Sequence, residues 1–100
     1  MEIRELEFSE RSLREIDDIC EYIEHKWSLN SKEKFLKLLK RNIDLIEGNP
    51  TLFQISYYKN LHKCVVSKQT TIFYKFIDYK IQIISVFDTR QNPKKIKKIK

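Results

Sequence analysis

The chain is poor in the residues that build loops and linkers. One glycine and two prolines among 100 residues exclude a long flexible linker and a Gly-rich loop that cradles phosphates. There is no run of eighteen apolar residues, so no segment reads as a membrane span. The opening Met1-Glu2-Ile3-Arg4-Glu5 carries acids and lacks an apolar core segment. The expectation is no secretion signal and a cytoplasmic protein. Only two cysteines are present, Cys20 and Cys64. They lack the spacing of metal ligands and read as reduced thiols packed as small hydrophobes. No metal or other cofactor is expected. Hydrophobic residues make up 41% of the chain, enough for one modest core. The expectation is a single domain over residues 1–100 with a basic tail at 93–100. A chain of this size buries only about 60–65% of its unfolded surface, so stability is marginal without a partner.

What is abundant is charge, and it is unevenly placed. Residues 1–50 carry a balance of −3 and residues 51–100 a balance of +9. A strongly basic half points to a polyanionic partner, such as nucleic acid, an acidic protein segment or an anionic membrane. Plain solubility is the alternative.

Periodicity divides the chain into helical and extended parts. Glu2–Phe8 reads as a short strand. Ser9 is a candidate N-cap followed by Glu10 in the first turn. Leu13, Ile16, Cys20, Ile23 and Trp27 then recur at helical spacing, widened by Ile19, and Glu15 falls on the charged face. Asn30 or Ser31 is the expected cap of a second helix striped by Phe35, Leu38, Leu39, Asn42, Ile43 and Ile46. Gly48 suits a left-handed cap, and Asn49-Pro50 stops the helix. From there the period changes. Leu61–Val66, Thr70–Ile77 and Lys80–Phe87 are rich in β-branched and aromatic residues, and they read as a meander of three strands. The expected fold is α+β: a helical hairpin covering one face of a three- to four-stranded antiparallel sheet.

Four segments carry a resemblance. Phe8–Ile19 resembles the strand-to-helix opening of the RelE/ParE superfamily of toxins. Ile46–Pro50 is similar to the end of that family's second helix, and Ile72–Phe76 to its central strand. Ile83–Pro93 is similar to its last strand and exit. The segments occur in the family's order and span nearly the whole chain. The resemblance implies the toxin of a type II toxin–antitoxin system, partnered by an antitoxin that wraps an acidic segment around it. It implies one of two targets: DNA gyrase for ParE-like members, or messenger RNA in the ribosomal A site for RelE-like members. No membrane role is implied.

Metal-free RNA cleavage needs a base, an acid and cations for the developing phosphorane charge. Arg90 occupies the region of the family's late arginine, where a guanidinium can clamp phosphate. The alternative for Arg90 is pairing with Asp88. Histidine exchanges protons near neutrality, so His62 is a candidate base or acid, with Lys63 beside it. Lys59, Lys68, Lys75, Arg90, Lys94 and Lys95 are the candidate contacts to nucleic acid or an acidic partner. The pair Tyr57 and Tyr58 offers rings for stacking, whereas core packing is the reading for Tyr74. After Arg90 the chain has no Tyr, His, Asp or Glu. A terminus without an acid or base resembles the ParE branch more than the RelE branch. A degenerate module that binds its antitoxin without toxicity is a further alternative.

Overall fold

The structure, a computed structural model, describes residues 5–56 and 60–90. Its elements are β1 (Glu5–Phe8), α1 (Glu10–Lys26), α2 (Leu29–Gly48), β2 (His62–Val65), β3 (Thr70–Ile77) and β4 (Lys80–Asp88). They form an α+β fold with one four-stranded sheet in the order β1-β4-β3-β2.

The sheet is mixed, which corrects the antiparallel expectation. β2, β3 and β4 pair antiparallel, but β1 runs parallel to β4. Tight turns oblige neighbouring strands to reverse, and those links join β2 to β3 and β3 to β4. The whole helical hairpin and two strands separate β1 from β4, so no short link dictates their relative direction. The β3–β4 turn contains no glycine. Asp78 takes its left-handed position at φ 48°, which short polar side chains tolerate.

Ser9 starts α1 as expected. Its Oγ accepts from Ser12 N at 3.0 Å and donates to the Ile84 carbonyl at 2.7 Å. One hydroxyl thus caps the helix and ties it to β4. The second helix begins earlier than expected: Ser28 is its cap and accepts from Ser31 N. Gly48 does not take a left-handed conformation. It closes the helix, and Asn49 N donates to the Leu45 carbonyl at 3.1 Å.

The core gathers Ile19, Ile23, Phe35, Leu39, Ile43 and Ile46 from the hairpin against Cys64, Ile72, Tyr74, Ile81, Ile83 and Val86 from the sheet. The apolar stripe of α1 is rotated from its expected position. Ser12 and Ile19 are buried, while Leu13 and Trp27 are exposed, as is Leu38 on α2. Ser12 can be buried because its Oγ donates to the Ser9 carbonyl at 2.8 Å. A short polar group with its bond made costs little there. Glu15 is also off the solvent face. Its Oε1 accepts from Ser85 Oγ at 2.8 Å and from Val86 N at 3.1 Å. These bonds fall where β4 carries an extra residue: Phe73 faces Ser85 and Tyr74 faces Ile83. A bulge frees backbone groups, and here α1 satisfies them.

Candidate functional site

Residues in register across a sheet share a face. Cys64, Ile72 and Val86 are in register and buried beneath the helices. The neighbouring positions therefore belong to the opposite face. Val65, Thr71 and Phe87 form one row there, Lys63 and Phe73 another, and Lys75 and Gln82 a third. This open face is exposed or half-exposed: Lys63, Val65 and Lys75 are exposed, and Phe73, Phe87 and Thr71 are partly covered. Lysines thus alternate with rings across the central strands.

The charges on this face fall into two groups. At the β1 border, Lys80 Nζ lies 3.1 Å from Glu7 Oε2, and Gln82 Nε2 donates to Glu7 Oε1 at 2.8 Å. The hydrogen bond to Glu7, aided by its charge, raises the Lys80 pKa. Lys63 and Lys75 have no ion-pair partner among the described residues. Lys75 lines a depression of about 220 Å³ together with Phe76, Ile77, Lys80 and Gln82. Lys68 is exposed on the β2–β3 turn, at the end of the sheet where β4 exits.

Arg90 stands at that exit and is committed internally. Its Nε donates to Asp88 Oδ1 at 3.1 Å and its Nη2 to Asp88 Oδ2 at 2.9 Å. Its backbone N–H also reaches Oδ1, and Thr70 Oγ1 donates to Oδ2 at 2.6 Å. The Asp88 side chain is 1% exposed. Burial alone pushes its carboxyl pKa up. The bonds from Arg90 and Thr70 and the guanidinium charge outweigh burial, so the net shift is downward.

His62 and Lys63 are sequence neighbours in β2, so they face opposite sides of the sheet. His62 is on the helix side. Its ring stacks on Tyr74 with centroids 5.2 Å apart and packs at 5.0 Å from Phe76. Its Nδ1 is 2.8 Å from the Phe53 carbonyl. A carbonyl only accepts, so Nδ1 carries the proton and donates. Tyr74 is fully buried, and its hydroxyl donates to the Pro50 carbonyl at 2.7 Å. Burial pushes its phenol up to about 12.

The structure therefore does not bring His62, Lys63 and Arg90 to one point. His62 is under the sheet and Lys63 on top of it. Arg90 lies beyond the Thr70–Asp88 pair, on the order of 15 Å along β4 from the row of Lys63 at 3.3 Å per residue. Lys63 and Lys75 do come together on the open face. Lys59, Lys94 and Lys95, with Tyr57, Tyr58 and the basic tail, lie outside the described residues. Sequence reasoning did not single out Phe73 and Phe87. In Thr70–Ile77 both faces carry apolar residues, so alternation hides which rings look outward. Among the described residues no three His, Cys, Asp or Glu side chains gather in a way that would hold a metal ion, and no helix is long and apolar enough to cross a membrane.

Comparison with known proteins gives a family and a fold. The family model described as the ParE toxin of type II toxin–antitoxin systems, parDE, matches residues 6–93. No curated protein matches the sequence. The chromosomal ParDE system from P. aeruginosa contains a similar chain, with a TM-score of 0.74 at 10% identity; the match covers 86% of this chain and 96% of that one. Two structures of the E. coli DinJ-YafQ complex are similar at a TM-score of 0.58. Their identities are 15% and 16%, with 87% of this chain and 93% and 94% of theirs covered. At such identities the likeness speaks for the fold alone.

Proposed function

We propose, from the premise that this chain belongs to the ParE toxin family of type II toxin–antitoxin systems, that it arrests growth by binding DNA gyrase rather than by cutting RNA. The observation that carries this reading is the separation of His62, Lys63 and Arg90. A metal-free ribonuclease needs its base, acid and cation within hydrogen-bond reach of one phosphate. Here His62 packs against Tyr74 and Arg90 is spent on a buried carboxylate. A surface that inhibits by binding needs no such convergence.

The partner that keeps the toxin silent is an antitoxin with an acidic segment, and its place is the open face. Lys63 and Lys75 there have no ion-pair partner among the described residues, and complementary charge fixes register and speeds encounter. Lys68 extends the same positive field to the sheet's end.

One observation supports a second reading. Lys63, Phe73 and Lys75 together resemble a surface for single-stranded nucleic acid, with cations for phosphates and a ring for a base. The two readings part in a paired assay of the purified protein. The expected result is inhibited gyrase supercoiling and no new ends in translated message by primer extension. A-site cuts that vanish in Arg90→Ala would replace the gyrase reading with a RelE-like one. Unimpaired growth on induced expression, with antitoxin binding intact, would make the chain a non-toxic binding module.

A further inference from the structure

The outer face of the helical hairpin is more apolar than a solvated surface requires. Leu13 and half-buried Cys20 lie seven residues apart on α1, Trp27 stands at its C-cap, and Leu29 and Leu36 lie seven apart on α2. Trp27 is 64% exposed, Leu29 54%, Leu13 50% and Leu36 39%. The two stripes border one groove, because Lys32 of α2 reaches across to Glu24 of α1 at 2.7 Å and acts on Cys20 electrostatically. Seven-residue apolar repeats facing outward are the pattern by which helices recognise further helices.

The rims of the groove carry opposite charge. The outward band of α1 presents Glu10, Asp17, Glu21 and Glu24 with Arg14 among them, and is net acidic. That of α2 presents Lys34, Lys37, Lys40 and Arg41 with Glu33 and Asp44 among them, Asp44 paired to Lys40 at 3.1 Å, and is net basic. We propose that this face is a self-association surface on which a second copy of the chain packs, α1 of each copy lying over α2 of the other. The chain thereby supplies its own complement.

Symmetry narrows the arrangement. In a two-fold contact the same surface meets itself. An axis across the helices sets α1 on α1 and repels acid from acid. An axis along the groove sets the acidic rim of each copy on the basic rim of the other and joins the two apolar stripes at the centre, with the facing helices antiparallel as in a four-helix bundle. The result has an apolar centre and a charged rim, the ordinary anatomy of an interface. A seventeen-residue helix is about 25 Å long and a helix pair about 20 Å wide. Two such faces bury on the order of 1,000 Å² in total, which suits a weak, concentration-dependent dimer.

The surface lies on the far side of the molecule from Lys63 and Lys75, and this inference is independent of the proposed target. The test is sedimentation of the purified chain across concentration and salt, with circular dichroism to verify folding. The wild type is expected to dimerise at low salt, and at least about tenfold more weakly in 0.5 M salt, where screening acts within roughly 4 Å. Asp17→Lys with Glu21→Lys, and separately Lys34→Glu with Lys37→Glu, are each expected to be monomeric, because like rims then face one another. An equimolar mixture of the two variants is expected to restore the dimer. Trp27→Ser, at an exposed position, is expected to abolish it in every combination. A wild type monomeric throughout would overturn the proposal, as would dimers in both charge variants or a mixture that stays monomeric. Loss of antitoxin binding in Trp27→Ser, with a wild type that never self-associates, would assign the face to the antitoxin and equally overturn it. Gyrase inhibition is measured separately, so either idea can fail alone.

Discussion

On the helix-covered face of the sheet, Cys64, Ile72, Ile81, Ile83 and Val86 are uncharged and almost wholly buried. On the opposite face of the same strands, Lys63, Val65 and Lys75 stand exposed. The covered face is occupied by the chain's own helices and governs stability. The open face has no cover from within the described residues and is available to another molecule. Strand alternation lets one stretch of sequence serve both purposes, because substitutions on one face leave the other's packing untouched. The end of the sheet joins the two, since Asp88 pairs with buried Thr70 on the covered side while its partner Arg90 reaches the surface.

The sharpest way to break this comparison is to delete matter from the covered face. Ile72→Ala is expected to cost about 2–5 kcal/mol through lost transfer energy and the cavity left behind. For a domain of this size that lowers Tm by roughly 10 °C or more, read by thermal denaturation. A loss under 0.5 kcal/mol would mean that the helices do not seal this face.

The next largest effect tests the sheet's end. Asp88→Asn removes the charge that Arg90 forks, with an expected cost of about 1–3 kcal/mol. The Asp88 carboxyl is held below its ordinary value. A depressed carboxyl contributes stability that is present above its unfolded pKa and lost as pH falls through the folded one. Wild type should therefore lose stability in acid below the ordinary carboxylate range, and Asp88→Asn should lose less over that window. Parallel acid curves would detach Asp88 from the fold's acid sensitivity.

Charge reversal on the open face should show the opposite division. Lys63→Glu with Lys75→Glu is expected to leave stability within about 0.5 kcal/mol. Antitoxin affinity should fall at least about tenfold and its salt dependence should flatten, as calorimetric titration at two ionic strengths would show. If stability fell instead, the open face would be structural.

The smallest effect concerns a thiol. Burial pushes Cys64 up to about 11, so at pH 8 only about one molecule in a thousand carries the thiolate. Cys64 should resist a disulfide reagent until the protein unfolds, while Cys20, half-buried, reacts first. Reaction of both thiols at the same native rate would contradict the burial of Cys64.

Local chemistry made the elements readable. Ser9 ahead of a helical period, Asn49-Pro50 after one and β-branched runs between polar breaks each declare themselves over a few residues, because capping, ring constraint and side-chain crowding act over one turn or one strand. The family resemblance spread along the chain came from such local segments, as did the basic second half. Tertiary contacts decided the rest. The direction of β1 depends on pairing with a strand from the opposite end of the chain. The rotation of α1 that buries Ser12 and exposes Leu13 answers to the sheet beneath it. The fate of Arg90 turns on Thr70 burying Asp88 beside it. Energies that depend on groups brought together from distant positions leave little trace in the neighbouring residues of any one of them.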